Sequence, residues 1–453
     1  MGKYESYQET PYTWLPVVPT HWCAKTIRSI SKLSNERCGD RKYTLLSVYR
    51  EYGVIQKASR DDNRNVESED LSNYKVVVPG DLVLNKMKMW QGSLGVSKYQ
   101  GIVSPAYIVC NVVDSTINST YLHMLLRSTG FKTYYNQFSY GVRVGQWDMH
   151  YDDFKKLLIY LPPREEQDQI VRYLEWQTYK INQLIDAKKK QIQVLREHAL
   201  SVCNELLTRG INPNVTFQPT DSNWMGEIPA HWKISKIAKH FTIKKRIAGK
   251  EGYDVLSITQ QGLKVKDIST NEGQMAANYS GYQFVYPGDF AMNHMDLLTG
   301  YIDISKHFGV TSPDYRVFVL DDTKNCYPEY YLQLFQLCYK RKIFYGYGRG
   351  AANQGRWRMP AVNFRSFEIP LPPYEEQEII SAKIQEINAR IESACSKLES
   401  EIITLSEMKT RLISDVVTGQ IDVRSIEVPD FKLVEEMADE ADIDGDINVE
   451  EEV

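Results

Sequence analysis

Two stretches of the chain carry apolar residues at helical spacing. From Leu161 to Gly210 they recur at Ile170, Leu174, Ile181, Leu184, Ile185, Ile192, Leu195, Ala199, Val202 and Leu206, mostly three, four or seven apart. This predicts one buried stripe along a single helix, a rod about 60 Å long by the ordinary helical rise. Between Pro163 and Gly210 no proline or glycine intervenes. Leu161-Pro162-Pro163 suits a helix start, where missing N–H groups cost nothing, and Glu165, Glu166 and Asp168 place negative charge at the positive end of the helix dipole. A rod with one apolar stripe needs a partner. The sequence supplies one 210 residues later, where Leu371-Pro372-Pro373-Tyr374-Glu375-Glu376-Gln377 opens a similar stretch ending at Val417-Thr418-Gly419.

Elsewhere the pattern is short and β-like. Tyr43–Tyr49, Lys75–Val78, Asp81–Leu84 and Ile102–Asn111 cluster β-formers between Gly, Pro and Asn breakers, as do Val255–Ile258, Gln283–Tyr286 and Tyr315–Leu320. Tyr121–Gln137 and Tyr330–Ile343 are expected to be helical. The frame is written twice. Trp14, Pro19, His21 and Trp22 return as Trp224, Pro229, His231 and Trp232, and Tyr74-x-x-Val77-x-Pro79-Gly80-Asp81 returns as Tyr282-x-x-Val285-x-Pro287-Gly288-Asp289. Ser104-Pro105-x-Tyr107 and Gly145-x-Trp147-x-Met149 recur as Ser312-Pro313-x-Tyr315 and Gly355-x-Trp357-x-Met359. Ordered matches at offsets of 208 to 210 indicate an internal duplication, with a period too long for a solenoid. Trp22, Trp147, Trp232 and Trp357 are expected in the cores. Arg50–Ser72 resembles nothing in Gln260–Ser280, so the repeated frame carries divergent inserts, as two modules doing one job on different targets would.

Composition changes this picture in two ways. The 453 residues, 42% hydrophobic with 30 Tyr and 8 Trp, suffice for two to four packed domains. The net charge of −4 hides a split: Glu427–Val453 holds twelve acidic residues and one Lys, a net of −11, which leaves residues 1–426 at +7. A basic body permits a polyanion partner without requiring one. No apolar run reaches the ~18 residues of a bilayer span, and MGKYESYQETPYTW has no apolar secretion region, so no membrane and a cytoplasmic location are expected. Seven cysteines without a Cys-x-x-Cys pair and eight His without metal spacing lead to an expectation of reduced thiols and no metal site.

The order of globular stretch, LPPxEEQ helix, second globular stretch and second LPPxEEQ helix, with His-Trp openings, Pro-Gly-Asp turns and a closing Val417-Thr418-Gly419-Gln420-Ile421-Asp422, closely resembles the specificity subunit of type I restriction–modification systems. The match runs from about residue 10 to about residue 424. It implies an α+β fold with two duplicated, β-rich target-recognition domains separated by two long helices packed as an antiparallel coiled coil, in a pseudo-twofold arrangement. The boundaries would be residues 1–160, a central spacer helix 161–212, 213–370, a C-terminal spacer helix 371–424 and an acidic, disordered tail 425–453. The resemblance further implies a non-catalytic subunit that binds double-stranded DNA, each domain reading half of an asymmetric bipartite site, and that docks two methyltransferase subunits and endonuclease/translocase subunits. S-adenosylmethionine, ATP and Mg are then expected on the partners and no cofactor on this chain. A specificity subunit of a Type IIB or related system is the alternative, and a methyltransferase or nuclease with its own active site a remote one.

Base readers should be polar side chains, with Lys and Arg on phosphates fixing position. In the first half Lys86, Lys88 and Gln91 follow the Pro-Gly-Asp turn, and Arg143 and Gln146 lie in a Gly-bounded loop. In the second half Asn293 and His294 follow the turn, and Arg349, Asn353, Gln354, Arg356 and Arg358 lie in a stretch rich in glycine, aromatics and cations. Lys244, Lys245 and Arg246 form a basic run suited to phosphates. Two methyltransferase-like motifs fail on context. Phe344-x-Gly346-x-Gly348 should follow a buried strand and open a helix, whereas a helical, cationic stretch precedes it. Pro372-Pro373-Tyr374 has Leu371 where an acid or amide is required. A calcium-loop spacing from Glu440 to Glu451 lacks room for an exit helix, since only Glu452 and Val453 follow.

Overall fold

A computed structural model describes residues 2–50, 52–59, 70–141, 147–267, 278–350 and 357–431. The chain divides into two compact units, Met1–Lys188 with Ser400–Val453, and Lys189–Glu399. Two continuous helices, Arg164–Arg209 and Tyr374–Val417, run as the apolar spacing predicts. Both units mix short antiparallel strands with helices.

In the first unit a four-stranded sheet has the order Ser31–Ser34, Ile108–Val112, Leu82–Leu84, Leu94–Val96. The expected strand Ile102–Asn111 is two strands, Gly101–Val103 and Ile108–Val112. Pro105 cannot donate to a ladder, and the Tyr107 N–H closes a turn on the Ser104 carbonyl at 3.0 Å. The helix expected over Tyr121–Gln137 is also two, Ser119–Leu126 and Thr129–Phe138, because Ser128 takes an extended N-cap backbone between them. Asn118 caps the first with its side chain, at 2.8 Å from the Thr120 N–H.

The long-helix start is clamped onto this unit. Glu166, only 6% exposed, accepts from the Tyr4 hydroxyl at 2.7 Å and the Trp22 indole at 3.1 Å, and its other oxygen meets His21 Nε2 at 2.7 Å. Gln167 donates to the Pro162 and Thr116 carbonyls and accepts from the Asn118 N–H at 2.8 Å. The second helix ends here too. Val417 O accepts from Tyr121 at 2.9 Å, and Gly419, at φ 74°, lies where an added Cβ would fall 2.4 Å from Pro19. Along the helix pair, Lys188 bonds Glu401, and Lys409 bonds Asn182 at 2.9 Å, so the two segments run antiparallel in this unit. Residues 425–431, assigned by sequence to the acidic tail, lie against the first long helix: Val428 is buried and its carbonyl accepts from Arg172 at 2.9 Å. The rest of that tail lies outside the described residues.

The second unit repeats the plan. Its sheet has the order Phe241–Lys244, Arg316–Leu320, Phe290–Met292, Ile302–Ile304, with Val317 paired to Lys244 and Ala291 as Val109 is to Ser34 and Val83. Glu376 accepts from Trp232 at 3.0 Å and meets His231 Nε2 at 2.9 Å. Gln377 donates to the Pro372 and Asn325 carbonyls, each at 2.8 Å, and accepts from the Tyr327 N–H. Leu207 O accepts from Tyr330 at 3.1 Å. Arg196 bonds Glu399, and Cys203 lies 3.7 Å from Asn388 Oδ1, so the helix segments are antiparallel here as well. Within the predicted stripe Ile181, Ile185, Ile192 and Ala199 are buried while Leu184 is 52% exposed, since the seam takes one residue of each adjacent pair. Trp22 and Trp232 are core residues; Trp147 and Trp357 are half-buried.

Candidate nucleic-acid interface

Each Pro-Gly-Asp turn is built alike. Gly80 and Gly288 sit at φ 96° and 91°, a left-handed conformation that a side chain would strain. The following carboxylates accept from the Val78 and Tyr286 N–H groups, each at 2.9 Å. The turn feeds a buried strand, and the residues after that strand emerge together at its end.

In the first unit these are the 3₁₀ residues Lys86–Gln91, anchored by buried Met89 and closed by Gly92 in the left-handed region. Lys88 is exposed, and Lys86 and Gln91 are half-buried. Lys86 Nζ lies 3.3 Å from Asp148 Oδ2, which answers its charge within the unit. Arg143 and Gln146 lie outside the described residues.

In the second unit Asn293 is held by structure: its N–H donates to Tyr301 O, its carbonyl accepts from the Tyr339 hydroxyl at 2.7 Å, and its side-chain oxygen accepts from the Met295 N–H. The His294 carbonyl accepts from the Met359 N–H at 3.0 Å, and the Met359 carbonyl accepts from Arg316 Nη2 at 2.8 Å. Arg316 is only 4% exposed, with its guanidinium 4.7 Å over the Phe364 ring. Arg316 Nη1 and His294 Nδ1 are buried and have no hydrogen-bond partner among the described residues. Burial, with the charges of Arg316 and Arg358 adding to it, holds the His294 imidazole down at about 3, so it is neutral near pH 7. Burial also pulls Arg316 down to about 10. Exposed Arg349 and Arg358 are joined by a pair of backbone hydrogen bonds at 2.8 and 3.2 Å. Among the described residues no carboxylate pairs with Arg316, Arg349 or Arg358. Asn353, Gln354 and Arg356 lie outside the described residues.

Of the basic run, Lys245 is exposed and Lys244 half-buried. Arg246 is ion-paired to Asp289 of the turn and lies 4.7 Å over the Tyr286 ring, which gives it a framework role. Sequence reasoning missed Arg316. Its signal was a lone cation heading Arg-Val-Phe-Val-Leu, a strand otherwise apolar enough to be buried. The glycine motif at 346–348 follows the helix Pro328–Lys340 and its first part forms a 3₁₀ turn, and Pro372-Pro373-Tyr374 leads into the second long helix.

Residues 233–402 match the type I restriction modification DNA specificity domain. The chain is 24% identical over 389 residues to the putative type I restriction enzyme MjaX specificity subunit of Methanocaldococcus jannaschii, covering 80% of this chain and 83% of that protein. It is 22% identical over 379 residues to the type I restriction enzyme MjaVIII specificity subunit of the same organism, at 79% and 83% coverage. A solved chain from work on complex assembly and conformational transition of the type I R-M system matches in fold, with a TM-score of 0.60 at 13% identity over 89% of this chain and 99% of that one. Residues 233–402 are thus similar to the type I DNA specificity domain, and about four-fifths of the chain is similar to type I restriction enzyme specificity subunits.

Proposed function

We propose that this chain is the DNA sequence-specificity subunit of a type I restriction–modification complex and carries no active site of its own. Residues 1–160 and 213–370 are two copies of one target-recognition domain, each reading half of an asymmetric bipartite site. The helices 161–212 and 371–424, packed as an antiparallel coiled coil, set the half-site spacing and dock two methyltransferase subunits, which carry the S-adenosylmethionine. Endonuclease/translocase subunits with ATP and Mg complete the assembly. Exposed Leu184, Val194, Ile379, Ile403 and Met408 on the long helices are apolar surface of the kind partners cover.

The observation that carries this reading is the contrast between a constant frame and variable tips. Both units repeat the sheet order, the Pro-Gly-Asp turn and the Glu and Gln clamps, yet place Lys86 with Asp148 at one turn exit and His294 with Arg316 and Arg358 at the other. Such tips should meet unlike half-sites, and cations without a carboxylate suit phosphate or base-edge acceptors. The test is methylome sequencing of a host that expresses this chain with its partner subunits, before and after residues 213–370 are exchanged for those of a related subunit. One half-site should change and the other persist; a change in both refutes modular reading.

A further inference from the structure

The two units also differ at a position remote from the turn exits. In each unit an aspartate, Asp114 or Asp322, stands two residues beyond the strand Ile108–Val112 or Arg316–Leu320. In the first unit Lys25 Nζ lies 2.5 Å from Asp114 Oδ2 and supplies the counter-charge. The register of the strand pairs Cys23–Thr26 with Leu158–Leu161 and Lys233–Lys236 with Glu368–Leu371 puts Ser235 where Lys25 stands. The Val113 N–H donates to the Ile30 carbonyl at 2.9 Å and the Asp321 N–H to the His240 carbonyl at 2.9 Å, so His240 replaces Ile30. Cys326 replaces Ile117, since each donates its N–H to the aspartate's carbonyl and precedes the residue that donates to the clamp glutamine. The second unit therefore keeps the aspartate, loses the lysine, and exchanges two isoleucines for a histidine and a cysteine.

We propose that His240, Asp322 and Cys326 form a binding site for one borderline divalent cation of the zinc class. One imidazole nitrogen, one carboxylate oxygen and the thiol sulfur of these residues lie within 4.8 Å of one another. Tetrahedral zinc holds its ligand atoms about 3.3 to 3.8 Å apart, so small side-chain adjustments close the trio on an ion. The surroundings are those of metal ligands. His240 Nδ1 is 2.8 Å from Asp322 Oδ2, while Nε2 lies 2.7 Å from the Ser235 hydroxyl, which fixes the ring and leaves Nδ1 to ligate. Asp322 Oδ1 accepts from the Asn325 side chain at 2.9 Å, which orients the carboxylate. His240 and Cys326 are buried and Asp322 is partly exposed, so an ion enters from the aspartate's side and keeps a water as fourth ligand. On binding, the Cys326 thiol releases its proton to solvent, His240 ligates as neutral imidazole with Nε2–H donating to Ser235, and no electron is transferred. The cation then supplies at Asp322 the charge that Lys25 supplies at Asp114. This departs from the sequence expectation of no metal site, which rested on local spacing; here His240 is brought to Asp322 and Cys326 from a segment about eighty residues away.

Purified full chain, stripped with chelator, is titrated with zinc, and separately with cobalt(II) as a spectroscopic probe. The expected result is one zinc per chain and a near-ultraviolet thiolate-to-cobalt charge-transfer band. The Cys326→Ser chain should lose the band, and the Ser235→Ala chain should bind zinc about 10- to 100-fold more weakly. No cobalt–thiolate band in the unsubstituted chain overturns the proposal without reference to any variant. A band that survives Cys326→Ser in a chain with unchanged circular dichroism places the metal elsewhere and also overturns it.

Discussion

The two units use the same scaffold and place charge differently at the sheet ends. In the first, cations that approach the sheet ends find carboxylates: Lys86 has Asp148, and Lys25 has Asp114. In the second, Arg316 is buried beside neutral His294 and exposed Arg358, and its Nη1 has no partner among the described residues. A buried cation without an acid costs folding free energy, so its retention calls for a ligand or a positioning role. What stays constant is the hinge between globular part and helix, where Glu166 and Glu376 each receive a His-Trp pair. The difference teaches that this architecture keeps the junctions fixed while it varies the tips.

The comparison breaks most severely at the junctions. Glu166 takes three donors and is almost wholly buried, whereas Glu376 takes two and its side chain is 23% exposed. Glu166→Ala leaves the Tyr4 hydroxyl and Trp22 indole unpaired and should destabilise the first unit by about 3 to 5 kcal/mol, against about 1 to 2 kcal/mol for Glu376→Ala in the second. Hydrogen exchange followed unit by unit measures both, and equal losses would end the case that the first junction is the tighter. Next in size is Arg316→Met. Replacing a buried cation that has no carboxylate with an apolar chain should stabilise the second unit by about 1 to 2 kcal/mol, while DNA affinity at one half-site falls because the Met359 carbonyl, next to exposed Arg358, loses the Arg316 hydrogen bond that positions it. Lower stability with unchanged affinity would make Arg316 a purely structural residue.

Much of this fold is legible in the sequence because its punctuation is strong. Proline at Pro163 and glycine at Gly210 bound the first long helix, and apolar spacing locates its seam to within a residue, erring at Leu184 only because Ile185 beside it is equally apolar. Pro105 and Ser128 broke elements that propensity alone would have run together. The clamps were only half visible. Glu166 reads as a dipole-compensating charge in a first turn, and its partners His21 and Trp22 lie 145 and 144 residues away, beyond any local pattern. Arg316 and the His240, Asp322 and Cys326 trio are hidden for the same reason, since contacts between segments far apart in sequence decide what these residues face.

Acid should separate the units at the paired aspartates. The Lys25 ammonium, with Thr116 hydrogen bonds, holds Asp114 down at about 2, below its unfolded value near 3.8. The folded state thus binds fewer protons between those values. The resulting stability is fully present above pH 4 and lost as pH falls through about 2. Lys25→Met should cost the first unit about 1 kcal/mol from pH 4 to 8 and almost nothing at pH 2, as befits a partly exposed pair. Denaturation of the two chains across that range tests it, and a cost that persists at pH 2 would assign Lys25 a packing role in place of an electrostatic one.

The smallest expected effect is at Lys245, and it sharpens the contrast between reading and positioning. This side chain is exposed beside Arg246, which is committed to Asp289, so Lys245 is the member of the basic run best placed for a phosphate. A phosphate contact releases about one counterion and carries no sequence information. Lys245→Ala should therefore weaken the assembled complex by a similar, few-fold factor on every single-base variant of the site, and reduce the slope of log affinity against log salt by about 1. Exposed Arg358→Met should instead change affinity unequally among variants of one half-site and leave the salt slope nearly unchanged, because a guanidinium that contacts a base displaces no phosphate counterion. Competition binding at two salt concentrations reads both quantities in one experiment. If Lys245→Ala discriminates among bases, or Arg358→Met weakens all variants alike with a flatter slope, the assignments of reader and anchor are reversed.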